Sequence, residues 1–125
     1  MSENLAILIV EDEPLIAMML EDFLDSLGHR IVATAESVRE AIGLIEAGGF
    51  DVAILDVHLR GGEQAWPVAD RLTELGLPFV LATGGQIDPP PPRHAAAPVL
   101  AKPYTVDAIE PALAAACANG DRIRA

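Results

Sequence analysis

The chain has 125 residues, enough for one domain with a proper core and too few for two. Its composition is 51% hydrophobic but only 4% aromatic, so the core is expected to be Leu, Ile, Val and Ala packing. Nineteen acidic against eight basic residues give a net charge of -11, which argues against nucleic acid as a partner because a phosphate backbone would be repelled.

Short runs rich in Ile, Val and Leu alternate with longer amphipathic stretches, the pattern of a parallel sheet with helical crossovers. The spacing predicts strands near 5–10, 30–35, 51–56, 78–83 and 98–101, and helices near 14–27, 37–47, 66–75 and 105–118. The start, "LAILIVEDE", passes from an apolar run into acids with no basic leader, so it reads as a strand and not as a signal peptide. Pro14 suits the first turn of a helix, where its missing N–H costs nothing, and Gly28 reads as that helix's stop. Ser37 with Glu40 forms a capping box for the second helix, closed by Gly48 and Gly49. Trp66 beside Pro67 opens the third helix. Cys117, the only cysteine, sits in an Ala-rich helical stretch and reads as a small hydrophobe rather than a reactive thiol. No apolar run approaches the ~18 residues of a membrane span, so a cytoplasmic protein with no membrane partner is expected.

One segment breaks the alternation. Between the fourth and fifth strands stands "GGQIDPPPPRHAAA", where four prolines, Pro89 to Pro92, remove four donors and impose an extended backbone. A regular fourth helix is therefore expected to be shortened or replaced by a proline-rich loop. His94 in that loop, and His29 before the second strand, are expected to be solvated.

The chemistry gathers at strand ends. Glu11 and Asp12 follow the first strand, Asp56 closes "DVAILD", Thr83 closes "PFVLAT" and Lys102 follows "PVLA". Ligands of an open parallel sheet bind outside the carboxyl ends of its strands, so these groups are expected in one crevice. Three close carboxylates repel one another unless a cation lies among them. Mg²⁺ takes oxygen ligands, commonly one or two carboxylates together with phosphate oxygens. A carboxylate can attack phosphorus to give an acyl phosphate once the donor's charge is neutralised. Lys102 offers a fixed positive charge, Thr83 a hydroxyl, and Gly84 with Gly85 lets the backbone approach a phosphoryl group.

With those residues in that order, the chain resembles a response-regulator receiver domain of bacterial two-component signalling, from Leu5 to about Cys117. The resemblance implies a flavodoxin-like, doubly wound sheet of order 2-1-3-4-5 and a single receiver domain over 1–125, with its core at about 5–118. It implies that Asp56 is the phosphoacceptor and that Asp12 and Asp56 are Mg²⁺ ligands, with the backbone carbonyl of His58. Glu11 is then the more distant acidic partner, acting through water. Thr83, Gly84 and Lys102 become the phosphoryl-binding and switch residues. A sensor histidine kinase or histidine phosphotransferase is the implied donor, a downstream regulator or kinase an implied recipient, and slow autodephosphorylation the only self-reaction.

Some positions depart from the family pattern. Val99 stands where most receivers carry an aromatic, and Arg60, Gly61 and Gly62 replace the usual proline after the phosphoacceptor. Both changes, with "LATGG", partly resemble the general-stress subclass whose fourth strand ends Phe-Ala-Thr-Gly-x-Tyr, although Leu81 replaces its Phe and the Tyr is missing. Without an aromatic at 99, Thr83 is expected to act through Gly84 to Gln86 on the proline segment, two glycines as hinge and four prolines as lever. With no effector domain apparent, the expected protein is a stand-alone receiver, not an enzyme, that signals by protein contact or phosphorelay. The alternatives are a Mg²⁺-dependent phosphohydrolase of the haloacid-dehalogenase type and a binding module independent of phosphorylation.

Overall fold

A computed structural model describes residues 4–57, 59, 63–83, 91–101 and 104–124, with side chains through residue 118. In chain order these form β1 (Ala6–Val10), α1 (Pro14–Ser26), β2 (Arg30–Ala35), α2 (Val38–Ala47), β3 (Val52–Asp56), α3 (Trp66–Glu74), β4 (Phe79–Thr83), β5 (Val99–Ala101) and α4 (Val106–Arg124). The five strands make one parallel sheet of order β2-β1-β3-β4-β5, as the resemblance implies.

The sheet is covered on both sides, which is why β1 and β3 are apolar without alternation and buried at every residue. Period-two geometry still divides their side chains. Leu8, Val10, Ala53 and Leu55 pack with α2 and α3 residues such as Ile45 and Leu72. Ile7, Ile9, Val52 and Ile54 pack with α1 and α4 residues such as Leu20 and Leu113. The strand bottoms are pinned where Asp51 N–H donates to the Ala6 carbonyl at 2.7 Å and Ala6 N–H donates to the Asp51 carboxylate at 2.9 Å.

Local signals act as the residue chemistry dictates. Pro14 occupies the first turn of α1, and Gly28 follows it with φ +89°, a conformation open to glycine. At α2, Ser37 Oγ accepts from Glu40 N–H at 3.2 Å, while Glu40 reaches back to Glu36 N–H at 2.7 Å, one residue beyond the usual capping-box partner. The last helix runs to Arg124, beyond the expected end at 118, and contains Pro111. Pro111 forfeits one backbone bond, but the strong propensity of the following alanines carries the helix on.

Between β4 and β5 the only helical structure among the described residues is a 3₁₀ turn, Pro92–His94. The fourth helix is thus short, as the prolines require. His94 is not solvated: it is 3% exposed, stacked on Trp66 at a centroid distance of 6.0 Å and edge-on to Phe79 at 5.6 Å. Its Nε2 meets Asp70 Oδ1 at 2.7 Å, and Arg93 grips the same carboxylate at 2.6 and 3.1 Å. A buried ring between two aromatics replaces the covering that a full helix would have supplied. Arg93 and His94, directly after the prolines, are therefore fastened to α3, while the expected hinge at Gly84 to Gln86 and the first two prolines of the expected lever lie outside the described residues. His29 is likewise buried, with Nδ1 accepting from Leu5 N–H at 3.1 Å and Nε2 meeting Glu110 at 2.8 Å. It joins the start of β1 to α4.

This clamp has a measurable consequence. His94→Ala leaves a hole between two rings and is expected to destabilise by about 2–4 kcal/mol in urea unfolding, whereas Arg93→Ala, at an exposed pair, should change little. The Arg93 guanidinium, and then His94, hold the Asp70 carboxyl below its ordinary value. A lowered folded value stabilises above the ordinary carboxyl range and is lost as pH falls through it. Asp70→Asn should accordingly flatten the fall in stability below about pH 4.

Candidate functional site

The site is built by strand adjacency. β1 and β3 pair through Val10 and Leu55, so the next residues, Glu11 and Asp56, emerge side by side from neighbouring strands whose spacing is ~4.8 Å. Glu11 N–H is still held to the sheet by the Ala35 carbonyl at 2.9 Å. Asp12 follows in the turn before Pro14. One carboxylate oxygen from each of Glu11, Asp12 and Asp56 lies within 4.8 Å of the others, and all three residues are buried, at 2%, 7% and 5% exposure. Burying three acids together is costly without a balancing cation.

The donor set suits a small hard cation. Mg²⁺ bonds oxygen at ~2.1 Å, so neighbouring ligands on an octahedron stand ~3 Å apart and opposite ones ~4.2 Å. Carboxylate oxygens within 4.8 Å of one another are compatible with that geometry, directly or with an intervening water at Glu11. The resemblance to receiver domains implies Mg²⁺ in an acidic pocket of this kind.

Thr83 ends β4, paired with Ala101 of β5 and half-buried, at the same carboxyl edge as Asp56, which pairs with Ala82. Lys102, Gly84 and His58 lie outside the described residues. Val99, at the position of the usual aromatic, is 54% exposed. Tyr104, the only tyrosine, stands two residues before the last helix, a position that suits packing against it. It does pack there, but its hydroxyl also reaches Glu11 Oε1 at 3.5 Å. A phenol directly after the Lys-Pro pair was the available signal.

Residues 7–87 match the family described as response regulator receiver domain. SdrG from Sphingomonas melonis Fr1, known from a solution structure, is 55% identical, with 92% of this chain and 98% of that chain covered and a TM-score of 0.81. A second solution structure, described as the BeF3-activated conformation of SdrG from Pseudomonas melonis Fr1, is 54% identical over 90% of this chain and 95% of its own, with a TM-score of 0.77. The transcriptional regulatory protein YvrH of Bacillus subtilis (strain 168) is 33% identical over 88 residues, 69% of this chain and 37% of its own length. The phyllosphere-induced regulator PhyR of Methylorubrum extorquens is 35% identical over 79 residues, 62% of this chain and 30% of its own. The chain thus spans about a third of the length of these two curated relatives. Among the described residues no helix is long and apolar enough to cross a membrane. Sheet order, acidic strand ends and sequence agree, and the chain belongs to the response regulator receiver domain family of two-component systems.

Proposed function

We propose that Asp56 accepts a phosphoryl group from a phosphohistidine of a sensor histidine kinase or histidine phosphotransferase, and that this single receiver domain passes the signal on by protein contact or phosphorelay. The observation that carries the reading is the meeting of three buried carboxylates at the adjoining ends of β1 and β3. The relative whose structure is described as BeF3-activated supports it, since BeF₃⁻ on a carboxylate has the tetrahedral shape and charge of an acyl phosphate.

Asp56 would act as nucleophile, its Oδ bonding to phosphorus as the phosphorus–nitrogen bond of the donor breaks and the imidazole leaves. Asp12 and Asp56 would hold Mg²⁺ directly with the His58 carbonyl, and Glu11 through water. The bound ion supplies the neutralisation that lets a carboxylate approach an anionic phosphoryl group. Thr83 and Gly84 would bind phosphoryl oxygens by hydroxyl and backbone N–H, and Lys102 by its ammonium. Because the general role of receivers is signalling, turnover is confined to slow hydrolysis of the acyl phosphate, and a cytoplasmic location follows from the donor.

The test is incubation of the chain with Mg²⁺ and acetyl phosphate, followed by intact-mass measurement. One phosphoryl group should appear, depend on Mg²⁺ and be released by hydroxylamine, as an acyl phosphate requires. Absence of the adduct would overturn the reading. Multiple turnovers of p-nitrophenyl phosphate would replace it with a phosphohydrolase.

A further inference from the structure

Tyr104 links the acidic pocket to the last helix, and a role for it there rests on the proposed binding of Mg²⁺ by that pocket. The residue stands two places before the first residue of α4, is 5% exposed, and packs in the layer of Ile7, Ile9 and Ile109. Glu11 is in step with Ile7 and Ile9 along β1, so strand geometry carries it toward the same layer. The Tyr104 hydroxyl faces Glu11 Oε1 at 3.5 Å, while Glu13 N–H donates to Glu11 Oε2 at 3.2 Å. Each oxygen of this buried carboxylate thus meets a donor from the protein.

A phenylalanine ring would fill the same apolar layer, so packing alone does not account for the hydroxyl. A phenol keeps its proton at neutral pH, so the hydroxyl is available as a donor. The contact is longer than the ~2.8 Å of an ordinary O–H···O bond, so it restrains the carboxylate without locking it, and effects of a few-fold are in proportion.

We propose that Tyr104 is a positioning residue for the metal pocket: its hydroxyl orients the Glu11 carboxylate toward the cation, and through that contact ties the start of α4 to the pocket. The aromatic that meets the pocket is then supplied from the α4 side of the sheet, while position 99, on β5, carries an exposed valine.

The experiment is calorimetric titration with Mg²⁺ alone of the wild type, Tyr104→Phe, Glu11→Gln and the double variant. Tyr104→Phe keeps the ring, and its melting temperature without Mg²⁺ should stay close to that of the wild type. It should weaken Mg²⁺ binding roughly twofold in the wild-type background, no more than loss of the Glu11 carboxylate itself, and by no measurable amount when Glu11 is already Gln. Binding equal to the wild type, or the same loss in both backgrounds, would overturn the proposal, because the hydroxyl would then not act through Glu11. A wild type that binds no Mg²⁺ would instead remove the proposed Mg²⁺-dependent phosphoacceptor function and this inference with it.

Discussion

Asp56→Asn is expected to reduce phosphorylation by acetyl phosphate to background while the chain stays folded. An amide nitrogen or oxygen in that place cannot form an acyl phosphate, and no neighbouring hydroxyl has the nucleophilicity of a carboxylate toward a charge-neutralised phosphoryl group. The substitution is nearly isosteric and removes one charge from a cluster whose three acids approach within 4.8 Å. Thermal stability without Mg²⁺ should therefore stay level or rise. A wild-type level of adduct on the variant would move the phosphosite elsewhere, and a large loss of stability would contradict the repulsion argument.

Asp12→Ala is expected to weaken Mg²⁺ binding by more than about tenfold, or ~1.4 kcal/mol, because under the proposed function it removes an oxygen that would bond the ion directly. Glu11→Ala should cost only roughly threefold, since a carboxylate acting through water can be partly replaced by another water. Calorimetric titration of the two variants side by side checks the order. Equal losses would mean that the two acids share the ion, which the approach of the three carboxylates within 4.8 Å of one another also permits. Both variants relieve charge crowding, so neither is expected to unfold the chain.

Reading strand ends along the chain located Glu11, Asp12, Asp56 and Thr83 because each follows a run whose only reason to be continuously apolar is burial on both faces. The proline run likewise announced a shortened fourth helix, through a backbone rule that needs no partner. The histidines were misjudged. His94 and His29 look like surface residues in a loop and beside a strand, yet both are buried, and their partners Asp70 and Glu110 lie far away in sequence. Local patterning carries no signal of such contacts. The same reason hid the Tyr104 hydroxyl, whose partner is 93 positions earlier.

By itself the sequence determined which residues are strand or helix, where every helix but the last stops, and which polar groups stand at strand ends, because these follow from periodicity, caps and prolines within a few residues. Tertiary structure alone decided which strand ends touch. The placement of β1 beside β3 brings Glu11 against Asp56 across 45 positions of chain, and the layer beneath them admits Tyr104 from the last helix. Side chains distant in sequence meet only when the core packs, since one arrangement buries both apolar faces of the sheet and leaves the acids at its edge.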